Sequence, residues 1–207
     1  MLIENNRVAL VGEVTREPEF SHEVYGEGFY TVLLTALRSS GNADEVPVMI
    51  SDRMCDIKTL KTGQHLSVTG QFRSFNRHEE EKSRLILSVF ARELEFLDDV
   101  EEELKSNQIF LDGYICKEPI YRKTPLGREI TDLLIAVNRS YGKTDYIPCI
   151  CWGRNARFAS GFTVGDRVKI HGRIQSREYA KKLSGAETEM RTAYEVSISK
   201  VEVVYEE

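Results

Sequence analysis

The residues best suited to chemistry are aromatic and basic side chains in the second half of the chain. Tyr146 and Trp152 belong to an apolar run typical of a strand, in which alternate residues share a face, so the two rings lie on one face while Ile147 and Cys151 point to the other. Arg154 follows closely. Flat rings beside cations can stack on unpaired nucleobases and neutralise phosphates, and each stacked base contributes about 1–3 kcal/mol.

The same aromatic residues also have an ordinary structural explanation, which the sequence leaves open. Trp152 is the only tryptophan and could belong to the core, and tyrosine is a common strand former. We favour stacking on bases, because core faces seldom present a tyrosine and a tryptophan beside two arginines, here Arg154 and Arg157.

Residue types and spacings disfavour both a metal site and an enzyme active site. The four cysteines include no CxxC pair, and Cys149 and Cys151 would point to the same face of a strand, which favours small buried apolar residues over ligands. The four histidines are scattered, and no HExxH motif, Ser/His/Asp order or phosphate-binding loop is present. We therefore expect no cofactor, no metal and no catalysis.

The elements that must position these residues come from a repeat of about 101 residues. Residues 6–12 (NRVALVG) are similar to residues 107–113 (NQIFLDG), and residues 63–70 (GQHLSVTG) to residues 165–172 (GDRVKIHG). Repetition at this length indicates two similar domains. We expect them over residues 1–97 and 106–207, joined by an acidic linker over residues 98–105.

Each repeat predicts five strands with a short helix between the third and fourth, which is the order of an OB-fold, a five-stranded Greek-key barrel. The fold class is therefore all-β, with two tandem OB-folds. The helices are expected near residues 53–60 and over residues 154–160, and polar loops over 138–145 and 180–191 are expected to overhang the binding face. Four glycines within strand patterns should let strands bend or bulge to close the barrels: Gly12, Gly70, Gly113 and Gly172.

The charge balance differs between the two halves. Residues 1–104 carry 11 basic and 20 acidic side chains, whereas residues 105–207 carry 17 and 13. An acidic surface repels a polyanion and a basic one attracts it, so the second half is the better candidate for nucleic acid. The alternative is that charge simply varies between domains for solubility.

The second half resembles the bacterial single-stranded DNA-binding proteins over nearly the whole of residues 107–204. The runs that carry the resemblance are 111–119 (LDGYICKEP), 136–139 (AVNR), 145–153 (DYIPCICWG) and 165–177 (GDRVKIHGRIQSR). The resemblance implies stacking positions at Tyr141, Tyr146, Trp152 and Tyr179. The basic residues nearest to these positions in sequence are Arg139, Lys143, Arg154, Arg173, Arg177, Lys181 and Lys182.

The first half resembles a diverged copy that keeps the framework without the stacking residues. At the positions of Tyr146, Trp152 and Tyr179 it carries Glu45, Ser51 and Arg77. A carboxylate on that surface repels phosphate, so we expect weak or no DNA binding by the first domain. Family members commonly surround the strand with four OB-folds, so the resemblance implies a homodimer that the first domain helps to complete.

The resemblance implies non-catalytic, largely sequence-independent binding of single-stranded DNA in replication, recombination or repair. Two alternatives remain open: an OB-fold interaction protein resembling primosomal replication protein N, and an RNA-binding module. Replication or repair proteins are further candidate partners, but the acidic tail with which the family recruits them does not follow residues 203–207 of this sequence. The sequence shows no secretory signal and no long apolar run, so we expect a cytoplasmic protein without membrane contact.

Overall fold

Strands dominate the computed structural model, which describes residues 4–79, 82–98, 107–182 and 188–205, with the backbone alone for residues 77–79, 82–83 and 181–182. The first half contains β1 (Asn6–Val24), β2 (Glu27–Leu37), β3 (Ala43–Ser51), β4 (His65–Glu79) and β5 (Lys82–Leu97). The second half contains β6 (Asn107–Ile115), β7 (Ile120–Lys123), β8 (Glu129–Asn138), β9 (Thr144–Trp152), α1 (Gly153–Ala159), β10 (Arg167–Lys182) and β11 (Thr188–Val204).

Each half closes into a five-stranded barrel. In the first barrel, β1 pairs with both β2 and β4, and the parallel pair of β3 and β5 completes the ring. In the second barrel, β6 pairs with both β8 and β10, and the parallel pair of β9 and β11 completes the ring. The predicted tandem OB-fold architecture is therefore confirmed, and β7 is an additional short strand on the edge of β8.

The two barrels are joined edge to edge by an antiparallel pairing of β1 with β6. Val8 lies opposite Ile109, and the pairing turns the strands of both barrels into one continuous sheet. The predicted linker over residues 98–105 lies, apart from Asp98, outside the described residues.

Alternating side chains on the strands fill the two barrel interiors. Phe72 and its counterpart Ile174 are fully buried, and Cys149 and Cys151 lie in the core of the second barrel. Burial raises the pKa of the Cys151 thiol to about 12 and raises that of Cys149 well above its usual range, so both stay protonated and apolar in character. Within the described residues there is no cluster of three candidate metal ligands.

Close strand contacts explain all four strand glycines, and the contacts are tightest at Gly70 and Gly172. The register shifts at Gly70 and at Gly172, which marks a β-bulge in the same place in each barrel. A Cβ atom on Gly70 would lie 2.2 Å from the carbonyl oxygen of Phe90, and one on Gly172 would lie 2.2 Å from that of Ser197. Only glycine allows these strands to approach so closely, as the sequence predicted.

Two local predictions need correction. The helix expected near residues 53–60 is only a three-residue 3₁₀ helix, Ile57–Thr59: Asp56 caps its start by accepting from the N–H of Lys58, and it ends where Leu60 returns to an extended conformation. The loop expected over residues 180–191 is largely a β-ribbon, since β10 and β11 stay paired from Ala180–Met190 out to Lys182–Thr188. In the second barrel α1 forms close to the expected position, and none of the described helices is long and apolar enough to cross a membrane.

Candidate nucleic-acid interface

The outer face of β9 presents two aromatic rings to solvent. Tyr146 is 44% exposed and Trp152 is 38% exposed, whereas Ile147, Cys149 and Cys151 on the opposite face are buried. Ile150 shares the outer face with the two rings but is itself buried, so it forms an apolar floor between them. The rings that the sequence predicted to share a face therefore both lie at the surface.

Among the residues that the structure describes, no ring or cation covers either of these two rings. Within the described residues, neither Tyr146 nor Trp152 takes part in a ring–ring or cation–ring contact. An uncovered aromatic face is what a nucleobase needs for stacking.

Positive charge adjoins Trp152 at the start of α1. Arg154 is exposed and makes no ion pair with any described residue, so its guanidinium is available to a phosphate. Arg157, one turn further on, is instead engaged with Glu129 at 2.8 Å. The two arginines that follow Trp152 in sequence therefore differ in availability.

A further arginine on this outer face was missed by sequence reasoning. Arg122 lies on β7, opposite Ile130, which in turn lies opposite Trp152. Its side chain is half-exposed, and its Nε donates to Asp132 at 2.8 Å. The four residues of β7 are too few to show a strand pattern, and the run of aromatic and basic residues Tyr121-Arg122-Lys123 was the only signal of a nucleic-acid contact.

The loop between β8 and β9 carries Tyr141 at its tip. Tyr141 is fully exposed in a left-handed conformation with φ of 65°, and Lys143 beside it is also exposed. This loop lies next to Tyr146 in sequence, so the structure brings Tyr141, Lys143, Tyr146, Trp152 and Arg154 to one strand and the two connections at its ends.

Arg139, by contrast, is committed to the junction between the barrels. Its guanidinium donates to the buried carboxylate of Asp145 and, at 3.0 Å, to the carbonyl oxygen of Ser74 in the first barrel. The same carboxylate accepts from the backbone N–H of Ser74 at 2.7 Å. Arg139 therefore holds the two barrels together, and its sequence-based assignment to phosphate stays a prediction.

The remaining predicted residues lie on the ribbon of β10 and β11. Arg173 is half-buried, its Nε is 3.6 Å from the carboxylate of Asp44 in the first barrel, and burial and the neighbouring Arg38 lower its pKa. Arg177 is exposed, with its guanidinium 5.9 Å from the ring of Tyr179. The side chains of Lys181 and Lys182 lie outside the described residues.

This ribbon is hydrogen-bonded to the first barrel. The backbone N–H of Ser176 donates to Asp44 at 3.3 Å, and the hydroxyl of Ser176 accepts from the N–H of Glu45 at 3.0 Å. Tyr179 lies only three residues further along the same strand. The predicted site thus falls into two groups, one on β9 and its flanking connections and the other on a ribbon that reaches toward the neighbouring barrel.

In the first barrel the equivalent outer face, around Ser51 on β3, offers no open aromatic ring among the described residues. Ser51, at the position of Trp152, is buried and bonded to Glu27 and to the N–H of Arg53. The aromatic rings that are present, Phe29 and Phe90, lie 5.9 Å apart. Other side chains already cover them: His22 stacks on Phe29 at 5.0 Å, and the guanidinium of Arg73 lies 4.1 Å from the centroid of Phe90.

Comparison with known proteins also distinguishes the two halves of the chain. Residues 106–204 match the family model described as "Single-strand binding protein family". Over 200 residues the chain is 27% identical to the single-stranded DNA-binding protein of Thermus thermophilus, an alignment that covers 82% of this chain and 74% of that protein. The second barrel therefore matches the single-strand binding protein family.

Shorter members of this family align with only part of the chain. Single-stranded DNA-binding protein 2 of Listeria innocua is 34% identical over 80 residues, which are 35% of this chain and 50% of that protein. The chain thus spans about half the length of the relatives of this kind that it matches.

A solved member of the single-strand binding protein family shares the arrangement of both barrels. The crystal structure of the wild-type protein from Thermus aquaticus superposes with a TM-score of 0.73 at 24% identity, covering 98% of this chain and 94% of that one. At this identity the likeness concerns the fold.

Proposed function

We propose that this protein binds single-stranded DNA without catalysing a reaction, through the outer face of β9 in the second barrel. The observation that carries the proposal is the pair of exposed rings of Tyr146 and Trp152 on one strand, beside the exposed Arg154, which pairs with no acid among the described residues. The match of residues 106–204 to the single-strand binding protein family supports the same ligand.

The geometry favours binding that ignores base sequence. Every nucleobase has a π-face, so stacking on Tyr146 and Trp152 accepts any base at about 1–3 kcal/mol for each stacked base. Phosphates are neutralised by exposed cations at both ends of the strand, Lys143 on one side and Arg154 on the other. Duplex DNA hides its base faces and cannot use this surface.

The two barrels divide the work in this proposal. Residues 106–207 bind the DNA, residues 1–97 form a mainly structural barrel, and residues 98–105 link them. The closed outer face of the first barrel, with Glu45 exposed and Ser51 buried, supports this division. Two chains would supply the four barrels that the family resemblance implies, so we infer a homodimer, which light scattering coupled to size-exclusion chromatography tests. A monomer at micromolar concentration would count against it.

The biological role follows from the ligand. Unpaired DNA is exposed during replication, recombination and repair, and the relatives named above are bacterial proteins, whose DNA lies in the cytoplasm. We place this protein in those processes and in that compartment.

The decisive experiment is a fluorescence titration of the full chain with oligo-dT, oligo-U and duplex DNA. We expect oligo-dT to quench the emission of Trp152, to bind more tightly than duplex, and to lose affinity steeply with salt. Tighter binding of oligo-U would indicate an RNA-binding protein instead, and tight binding of duplex would overturn the proposal.

A further inference from the structure

The first barrel carries a local cluster of positive charge, although acidic residues outnumber basic ones in this half of the chain. The guanidinium groups of Arg73 and Arg92 lie 4.1 and 5.7 Å from the centroid of the same ring, Phe90. Arg92 is exposed. Within the described residues neither arginine makes an ion pair, so two cations share one aromatic ring without a carboxylate partner.

The charge on Arg73 is poorly compensated. Among the described residues its buried Nε has no hydrogen-bond partner, and Gln71 accepts from its Nη2 at 2.9 Å. Burial, together with the nearby Arg139 and Arg92, lowers the pKa of Arg73 to about 10. Asp145, whose charge raises the pKa of Arg73, is already engaged by Arg139 and by the N–H of Ser74. A partly desolvated cation without a counter-ion gains from binding an anion.

The cluster adjoins the proposed DNA-binding strand. Arg73 immediately precedes Ser74, whose hydroxyl accepts from the backbone N–H of Tyr146 at 2.8 Å. The backbone next to Arg73 therefore contacts the start of β9, and the charges of Asp145 and Arg139 in the second barrel lie close enough to Arg73 to affect its pKa. A nucleic-acid strand that leaves Tyr146 toward the first barrel approaches this positive charge.

We propose that Arg73 and Arg92 bind a phosphate of the same DNA strand whose bases stack on Tyr146 and Trp152, so that the bound strand crosses from the second barrel onto the edge of the first. The inference rests on the proposed function. It assigns the first barrel a phosphate contact without a base-stacking surface, because the Phe90 ring is already covered by Arg73.

The test compares arginine variants of the full chain in titrations with oligo-dT of about 30 nucleotides, enough for two barrels. Arg92→Gln and Arg73→Gln should each lower the slope of log affinity against log salt by about 0.7, and the double variant should bind on the order of tenfold more weakly. Arg92→Lys should retain most of the affinity, and the quenching of Trp152 at saturation should not change. The matched control is Arg53→Gln, which removes an exposed arginine of the same barrel that pairs with Glu27.

The outcomes separate the two proposals. If Arg92→Gln and Arg73→Gln keep the salt slope of Arg53→Gln while DNA still quenches Trp152, this inference fails and the proposed function stands. If the unaltered protein binds no oligo-dT, both fail. Should Arg73→Gln prove unfolded by circular dichroism, the exposed Arg92 decides the result alone.

Discussion

The two barrels share a framework and differ at the surface. Asn6 and Asn107 each clamp the backbone of the fourth core strand of their own barrel, at Phe72 and Ile174, with hydrogen bonds of 2.7 and 2.9 Å in both cases. On the outer faces, by contrast, Trp152 is exposed where Ser51 is buried. Framework and binding surface have diverged independently, because inward and outward side chains alternate and can change without affecting each other.

The covering of aromatic rings is the second difference. Phe29 and Phe90 of the first barrel are stacked or covered by His22 and Arg73, whereas the described contacts leave the rings of Tyr146 and Trp152 open. An aromatic residue on an outer face is therefore not enough to make a binding surface. The ring must also have no partner of its own.

The largest effect is expected from breaking the shared framework. Gly70→Ala and Gly172→Ala each place a methyl group 2.2 Å from a carbonyl oxygen, so each should lower the free energy of unfolding by about 2–4 kcal/mol. Denaturant unfolding of the full chain measures both. A large loss in one barrel and none in the other would show that the barrels do not share this contact.

Equivalent substitutions at the junction between the barrels should also destabilise the protein by similar amounts. Asp145→Asn removes the buried partner of Arg139, and Asp44→Asn removes that of Arg38, leaving a partly buried guanidinium uncompensated. We expect a loss of about 2–3 kcal/mol in the free energy of unfolding for each. Glu4→Gln, which removes an exposed ion pair with Arg7, serves as the control and should change little.

The surface difference is tested by Trp152→Ala. Loss of the indole should weaken oligo-dT binding by about 1–3 kcal/mol, because one stacked base loses its platform, while thermal stability changes little. Anisotropy with labelled DNA gives the affinity. Phe20→Ala, at an exposed ring of the first barrel, should leave affinity unchanged, and an equal loss in both variants would refute the assigned division of labour.

The smallest effect is expected where the two cores are interchangeable. Cys149 occupies the position of Val48 in the first repeat, and both are buried. Cys149→Val should therefore change the free energy of unfolding by less than about 1.5 kcal/mol and leave DNA binding intact.

Thiol reactivity provides an independent check on Cys149 and the neighbouring Cys151. The pKa of Cys151 is raised to about 12 by burial, so at about pH 8 the reactive thiolate is scarce and reagents should modify neither Cys149 nor Cys151 before unfolding. Rapid labelling in the folded protein, or a rise in melting temperature on adding zinc, would show that the pair is not simply apolar filling.

Much of the fold was predictable because it depends on local patterns. The repeat, the alternation of inward and outward residues and the bulge glycines Gly70 and Gly172 are all written in short stretches of sequence. The length of the helix near residues 53–60 was not predictable in the same way, since it ends at Leu60, which is extended and whose side chain is buried in the core.

The candidate site was predictable only where it lies on one strand. Period-two alternation places Tyr146 and Trp152 together without reference to any other element. Arg139 could not be separated from Arg154 by sequence, because both are basic residues beside aromatic ones, and only the partner Asp145 shows that Arg139 is occupied.

Two related barrels, the inward faces of their strands, and the barrel with aromatic residues at the positions of Tyr146 and Trp152 could all be read from the amino-acid sequence. Only the folded chain shows which charges are paired, that the ribbon bearing Tyr179 contacts the other barrel, and that Ser74, next to Arg73, bonds to the backbone of Tyr146. The difference lies in how far apart in sequence the interacting residues are. The alternation of side chains is set within each strand by its own pleat. The pairing of charges across the junction depends on the register of β1 with β6, which are about a hundred residues apart, and this register is fixed only when both barrels have closed.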